Sequence, residues 1–230
     1  MIVPGSASPL LTTTDGSYAI ANSLRLRSSA SGYLNRTPGS AGNRQKFTWS
    51  GWIKRGYLGS GSGFLISAGV IVNGGTCNQD GFTLAGDQLQ VNLGYTGSGY
   101  AGQVTTNAVF RDPSAWYHLV VAIDTTQATA ANRCLIYVNG ASISYTTNTT
   151  ITQNFSSQLN NNAVHNIGRL VPDGFGGAAW QHFDGYQADV NWIDGQQLTP
   201  SSFGETDSTT GVWKPKAYSG TYGTNGFYLK

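Results

Sequence analysis

The sequence predicts an all-β protein built as a two-sheet antiparallel sandwich, and three observations carry that prediction. The composition supplies strand and turn formers: 230 residues include 31 Gly, 12 Tyr and 6 Trp, with abundant Thr, Ser and Asn. About ten short strand-like segments follow one another, with turn residues at a spacing of roughly 8–12. No window carries the 3.6-residue apolar period of a convincing amphipathic helix.

Residues 1–20 read as an extended arm, because Pro4, Gly5, Pro9 and a threonine run support neither helix nor long strand. From Ser23, "SLRLRSS" sets Leu24 and Leu26 against Arg25 and Arg27, the period of a half-buried strand. "KFTWSGWIK" repeats the pattern, with Phe47, Trp49, Gly51 and Ile53 on one face. Trp52 falls on the polar face with Thr48, Ser50 and Lys54, so either a further layer covers it or it lines a groove. More strands are expected at "GFLISAG", "GFTLAG", "LQVNLGY", "WYHLVVAID", "RCLIYVNG", "ASISYTT" and "HNIGRL". Asn139-Gly140 is the strongest hairpin signal, since a two-residue type I′ turn needs positive φ twice. In the last strand, "YQADVNWI", Tyr186, Ala188, Val190 and Trp192 are expected to face the core, with Gln187, Asp189 and Asn191 on a polar outer face. Thr199 and Pro200 open one short helical turn as cap and first residue. The chain thus divides into an arm (1–20), a sandwich (21–205) and an extension (206–230). Its last residues, "NGFYLK", read as mid-strand, as in a piece of a longer protein.

Charged residues make up only 10%, against about 25% in soluble domains. A net charge of +2 with 39% hydrophobic residues excludes charge-driven disorder. Basic residues are scattered, with only Lys54-Arg55 adjacent, so no stripe exists for a phosphate backbone and no nucleic-acid partner is expected. "MIVPGSASPLLTTTDG" lacks the basic and apolar regions of a secretory signal, and nothing approaches the ~18 consecutive apolar residues of a membrane span. Cys77 and Cys134 form no metal-binding cluster and read as isolated buried thiols, although a disulfide between them stays open.

Four stretches carry a resemblance: "SLRLRSSASGYL", "FTWSGWIK", "WYHLVVAIDTTQ…RCLIYVNGASI" and "NIGRL…FDGYQADVNWIDGQQLTPSSF". In their order, and in Trp116-x-His118 and Tyr137-Val138-Asn139-Gly140, the chain resembles concanavalin A-like lectin/glucanase domains of the laminin G-like branch. The resemblance spans roughly residues 21–205 and implies a curved jelly roll of two antiparallel sheets. "YLNRTPGSAGNRQKFTWSGWIKRG" and "GVWKPKAYSGTYGTNGFYL" further resemble virion proteins of tailed bacteriophages. That likeness implies a virion structural or adhesion module of tail-fibre type, assembled in the bacterial cytoplasm as a homo-oligomer. The arm would dock on other virion proteins. A capsid decoration or head-fibre subunit is the alternative within that class, and a secreted carbohydrate-binding module or glycoside hydrolase the alternative outside it.

Catalysis is not expected. Sandwich glucanases resemble one another in a Glu-x-Asp-x-Glu strand, and cleaving a glycosidic bond needs two carboxylates roughly 5–9.5 Å apart. Glu205 is the chain's one glutamate and lies beyond the last sandwich strand. Asp184, Asp189 and Asp194 stand five apart, an odd offset that puts neighbours on opposite faces of a strand. Asp184-Gly185 and Asp194-Gly195 look like turn dipeptides bracketing it. His118 reads as a packed structural residue, and His165 and His182 share no ligand spacing. No cofactor is expected. Calcium is the minor alternative, with Asn78-Gln79-Asp80 and Asp173 as its single candidates and no aspartate-dense loop.

Binding suits the composition better. Two Gly-rich loops hold aromatics: "GYTGSGYAG" with Tyr95 and Tyr100, and "VPDGFGGAAWQHF" with Asp173, Phe175, Trp180 and His182. Flat rings offer an apolar face to a sugar while neighbouring polar groups hold its hydroxyls. These six residues are the glycan-binding candidates. The competing expectation is that the rings tuck onto the sandwich or into a subunit contact.

Overall fold

The computed structural model describes residues 18–59, 61–71, 77–170 and 181–230. In chain order the strands are β1 (Leu24–Leu26), β2 (Leu34–Arg36), β3 (Lys46–Arg55), β4 (Ser62–Ile71), β5 (Cys77–Ala85), β6 (Gln88–Tyr95), β7 (Gly102–Thr106), β8 (Tyr117–Asp124), β9 (Cys134–Val138), β10 (Ala141–Ser142), β11 (Tyr145–Thr149), β12 (Val164–Ile167), β13 (Gly185–Asp194), β14 (Gly204–Thr206), β15 (Trp213–Pro215) and β16 (Phe227–Leu229). They pair antiparallel into two seven-stranded sheets and one two-stranded ribbon, β14-β15. The expected jelly-roll sandwich is the observed architecture.

The first sheet runs β1-β13-β3-β8-β9-β10. β3 takes one edge of β13 along its length, while β1 and β16 share the other, opposite residues 185–187 and 190–192. The second sheet runs β11-β7-β6-β5-β4-β12-β2. The core lies between them, where Phe47, Trp49 and Ile53 of β3 and Leu119, Val121 and Ile123 of β8 meet Phe82, Leu89, Val91 and Leu93, all fully buried. Trp49 packs edge-on against Phe82 with centroids 6.2 Å apart, and Phe47 stacks on Trp192 at 5.0 Å. Cys134 is a free thiol buried in this core.

Asn139 and Gly140 adopt φ of 46° and 82° and join β9 to β10 as a type I′ hairpin, as their sequence requires. A side chain at Gly140 or Gly204 would collide with the Trp213 indole, which lies against both positions. Pro200–Ser202 form a single 3-10 turn, although the Thr199 side chain makes no capping bond. "ASISYTT" is two strands rather than one: β10 stays in the first sheet and β11 crosses to the second.

The outer face of the first sheet is not solvent-facing, which corrects the reading of β13. Trp52, 3% exposed, is covered by a second layer in which Ile20, Trp116 and Ala188 are buried and Tyr18, Tyr186 and Trp213 pack alongside. Residues 203–222 extend the cover, with Phe203 buried against Val120 and Ile193. The expected boundary at 205 falls inside β14, and β16 is built into the first sheet. Only the end of the expected arm, from Tyr18, lies among the described residues.

A β-bulge between Ala188 and Asn191 breaks the strict alternation of β13, with Asp189 at φ 51°. Val190 and Trp192 therefore face the main core as expected, but Tyr186 and Ala188 belong to the outer layer. Gln187 points inward instead, its Nε2 donating to the Leu65 carbonyl of the opposite sheet at 3.1 Å. Asp189 is 2% exposed rather than solvated.

Candidate functional site

On the outer face of the second sheet the middle strands carry neutral polar side chains. Gln79 and Thr83 of β5, with Gln90 and Asn92 of β6, point away from the core that Phe82, Leu84, Leu89, Val91 and Leu93 fill. They floor a groove of about 270 Å³ whose walls include Phe64, Tyr95, Tyr100 and Gln181. Two floor oxygens, Gln79 Oε1 and Thr83 Oγ1, are buried without a hydrogen-bond partner. Leaving such an acceptor unsatisfied costs about 1–3 kcal/mol. Gln103 Nε2 donates to Asn92 Oδ1 at 2.8 Å and fixes that amide at the groove's edge.

Tyr95 reaches the groove because β6 is irregular. Strict alternation would send it inward with Leu89, Val91 and Leu93. A bulge in the β5–β6 ladder, with Gly94 at φ 66°, adds a residue and turns Tyr95 outward. Its ring then meets Tyr100 with centroids 5.0 Å apart and planes 41° from parallel. Burial, reinforced by the neighbouring Tyr95, raises the Tyr100 pKa, so its hydroxyl is a neutral donor. Beneath the loop, Asp80 anchors Gly94: its carboxylate accepts from the Gly94 N–H, the Ser157 hydroxyl and the Gln158 N–H. Burial pushes this carboxyl up to about 6 despite those donors.

Tyr95 and Tyr100 are thus brought together, whereas His182 sits apart. It lines an adjoining cavity of about 400 Å³ with Tyr57, Asp184 and Arg55, and forms a bridge to Phe64 at the groove's wall. The other three glycan candidates, Asp173, Phe175 and Trp180, lie outside the described residues, as does Asp173 as a calcium candidate. Thr83, Gln90 and Asn92 are groove residues that the sequence reading missed. Their signal was the alternation of uncharged polar Thr83, Gln90 and Asn92 with apolar neighbours in "GFTLAG" and "LQVNLGY".

The three evenly spaced aspartates do separate work. Asp184 accepts from the backbone and hydroxyl of Ser28 and pairs with Arg25 at 3.7 Å. Asp189 accepts from the Tyr18 hydroxyl at 2.7 Å, and that hydroxyl also meets Tyr228 at 2.8 Å. Asp194 gathers the Asn43 and Asn225 backbone N–H groups and the Asn160 amide. Each ties distant segments to β13. Exposed Glu205 pairs with Lys214 at 3.5 Å. Among the described residues, no three His, Cys, Asp or Glu side chains gather as a metal-ligand set.

His118 is structural, as its strand position suggested. The Trp213 indole N–H donates to Nδ1 at 3.0 Å, which leaves Nε2 to carry the proton and donate to Ser50 Oγ at 2.9 Å. Its ring lies between Trp52 and Trp213, at 5.0 and 5.9 Å.

Among solved structures, mouse laminin alpha1 chain domains LG4-5 are similar at 15% identity, covering 95% of this chain and 49% of that one, with a TM-score of 0.50. The chain therefore spans about half of that laminin fragment. Ruminococcus gnavus IT-sialidase CBM40 is similar at 13% identity over 73% of this chain and 95% of that one, with a TM-score of 0.49. The native heptameric SAP-like pentraxin from Limulus polyphemus is similar at 17% identity over 73% and 71%, with a TM-score of 0.44. No curated protein sequence matches. A laminin G-type family model matches residues 28–202, a range that holds the strands of both sheets from β2 to β13. With that match over most of its length and the two-sheet fold in place, the chain belongs to the concanavalin A-like lectin/glucanases superfamily.

Proposed function

We propose that this chain is a non-catalytic adhesion module of a tailed-bacteriophage virion, and that it holds a glycan in the groove over β5 and β6. The uncharged floor of Gln79, Thr83, Gln90 and Asn92 beside the Tyr95–Tyr100 pair carries the reading. Neutral amides suit sugar hydroxyls, and the aromatic wall suits a sugar's apolar face. The non-catalytic half is supported by the carboxylates: Asp184, Asp189 and Asp194 each bind a different set of protein donors, and Asp184 is the one carboxylate among the described residues lining the two cavities.

The virion setting rests on the two phage-like stretches, and the fold joins them. Arg36 donates to the Asn225 carbonyl, the Asn225 amide donates to the Ser40 carbonyl, and Asp194 holds Asn43 and Asn225 together. The likeness thus resides in one structural unit rather than in two unrelated segments. The arm before Tyr18 is the proposed docking element for other virion proteins.

A glycan array probed with the wild-type chain and Tyr100→Ala tests the groove: binding is expected for the first and reduced for the second. Reducing sugar released by the wild type and abolished in Asp189→Asn would overturn the non-catalytic half. Immuno-electron microscopy of intact virions tests the setting, with label on the tail expected. Label on the head would instead favour a decoration protein, and an absence of label would reject the virion.

A further inference from the structure

The groove does not end at its wall. Ser62 lines both it and the larger adjoining cavity, and the consecutive residues Gln181 and His182 line one each. The parallel bridge between Phe64 and His182 forms the ridge between them. The two volumes, about 270 and 400 Å³, together fall within the range of roughly 300–1,000 Å³ usual for ligand sites. We infer that the two cavities are one binding track for an uncharged oligosaccharide, with the Tyr95–Tyr100 pair at one end and Tyr57 at the other. This inference rests on the glycan reading of the groove.

The second cavity has the chemistry for such a ligand. Tyr57 is 63% exposed, a ring offered to solvent at the cavity's lining. Asp184 Oδ2 is occupied by Ser28, but Oδ1 stands 3.7 Å from Arg25, beyond hydrogen-bond reach, and retains acceptor capacity for a sugar hydroxyl. The cavity's cation is neutralised: Arg55 binds Asp87 and the Phe110 carbonyl through Nη1. Among the described lining residues, an acidic sugar would therefore meet the Asp184 carboxylate with no unpaired cation, since Arg25 beside it already serves Asp184 and the Tyr186 hydroxyl. In the groove, the floor residues Gln79, Thr83, Gln90 and Asn92 are all uncharged. Both ends favour hydroxyl-rich, neutral chains.

Calorimetry with gluco-, manno-, galacto- and N-acetylhexosamine-based oligosaccharides of one to six units tests this, alongside sialyl- and uronate-containing counterparts. For the wild type, affinity is expected to rise about tenfold or more from the shortest binder to the chain that fills both cavities. Tyr57→Ala, at an exposed position, should abolish that gain while leaving the short ligands unchanged. Tyr100→Ala should weaken all of them. If affinity does not depend on length, or Tyr57→Ala changes nothing while Tyr100→Ala still weakens binding, the single track is wrong and the groove stands alone. Tighter binding of the acidic set overturns the neutral class. If no probe binds, or Tyr100→Ala is silent, the groove reading falls and the track with it.

Discussion

The indole N–H of Trp213 donates to His118 Nδ1 at 3.0 Å and ties the C-terminal ribbon to the first sheet. Burial pulls the His118 pKa from 6.5 down to about 3, and that of His165 down to about 4. Both rings stay neutral in the folded chain, whereas the unfolded chain takes up protons below pH 6.5. Their contribution is therefore fully present above pH 6.5 and is lost as the pH falls toward 4 and then 3. Each group can remove up to about 1.4 kcal/mol per pH unit. Urea unfolding at pH 7 and pH 5 should show the loss, and His118→Gln should shrink it. Trp213→Phe keeps a ring but leaves Nδ1 unpartnered, and should destabilise by about 1–3 kcal/mol at pH 7.

Asp80 works in the opposite direction. Its folded pKa is raised from 3.8 to about 6, so between those values the native chain holds a proton that the unfolded chain has released. Its contribution thus favours folding at low pH and weakens as the pH rises from about 4 to 6. Asp80→Asn carries no such proton. The stability of the wild type relative to this variant should fall across that window, and a flat difference would reject the assignment.

Thr83→Val separates stability from binding. Replacing the buried, unpartnered hydroxyl with a methyl of similar shape should stabilise the free protein by about 1 kcal/mol, read from a urea midpoint. The same change should weaken glycan binding. A destabilised variant would mean that the hydroxyl has a structural partner.

Asp189 tests the bulge. Its φ of 51° is tolerated by Asn but strained for a β-branched residue. Asp189→Asn should fold with a modest loss from the altered Tyr18 contact, whereas Asp189→Val should lose about 2–4 kcal/mol by thermal or urea unfolding.

Most of the fold is legible where alternation is uninterrupted. Phe47, Trp49 and Ile53 sit where the period of "KFTWSGWIK" places them, and Asn139-Gly140 turns as its side chains require. What escapes is the effect of one extra residue. The bulges at Asp189 and Gly94 each reverse the side-chain parity across them, so that Ala188 lies in an outer layer while Val190 faces the core, and Tyr95 turns into the groove. Nothing local in "YQADVNWI" marks the break, because Asp is not an obligatory positive-φ residue as Gly nearly is. The second layer was legible only as a question, posed by Trp52 on a polar face. Its cover arrives from residues 18–20 and 203–222, far away in sequence. The groove floor comes from ordinary Gln, Thr and Asn, which carry no motif; only their common face unites them.

Tyr18 and Tyr228 touch, although 210 positions separate them, and they meet on the outer face of the first sheet. The groove opens on the outer face of the second. Tension applied between Tyr18 and the C-terminus would load the Tyr18–Asp189–Tyr228 contacts and the short strand β16 before reaching the core. On the proposed reading, a body tethered at that spot turns the groove outward, so a glycan held there and an anchor at the arm would lie back to back.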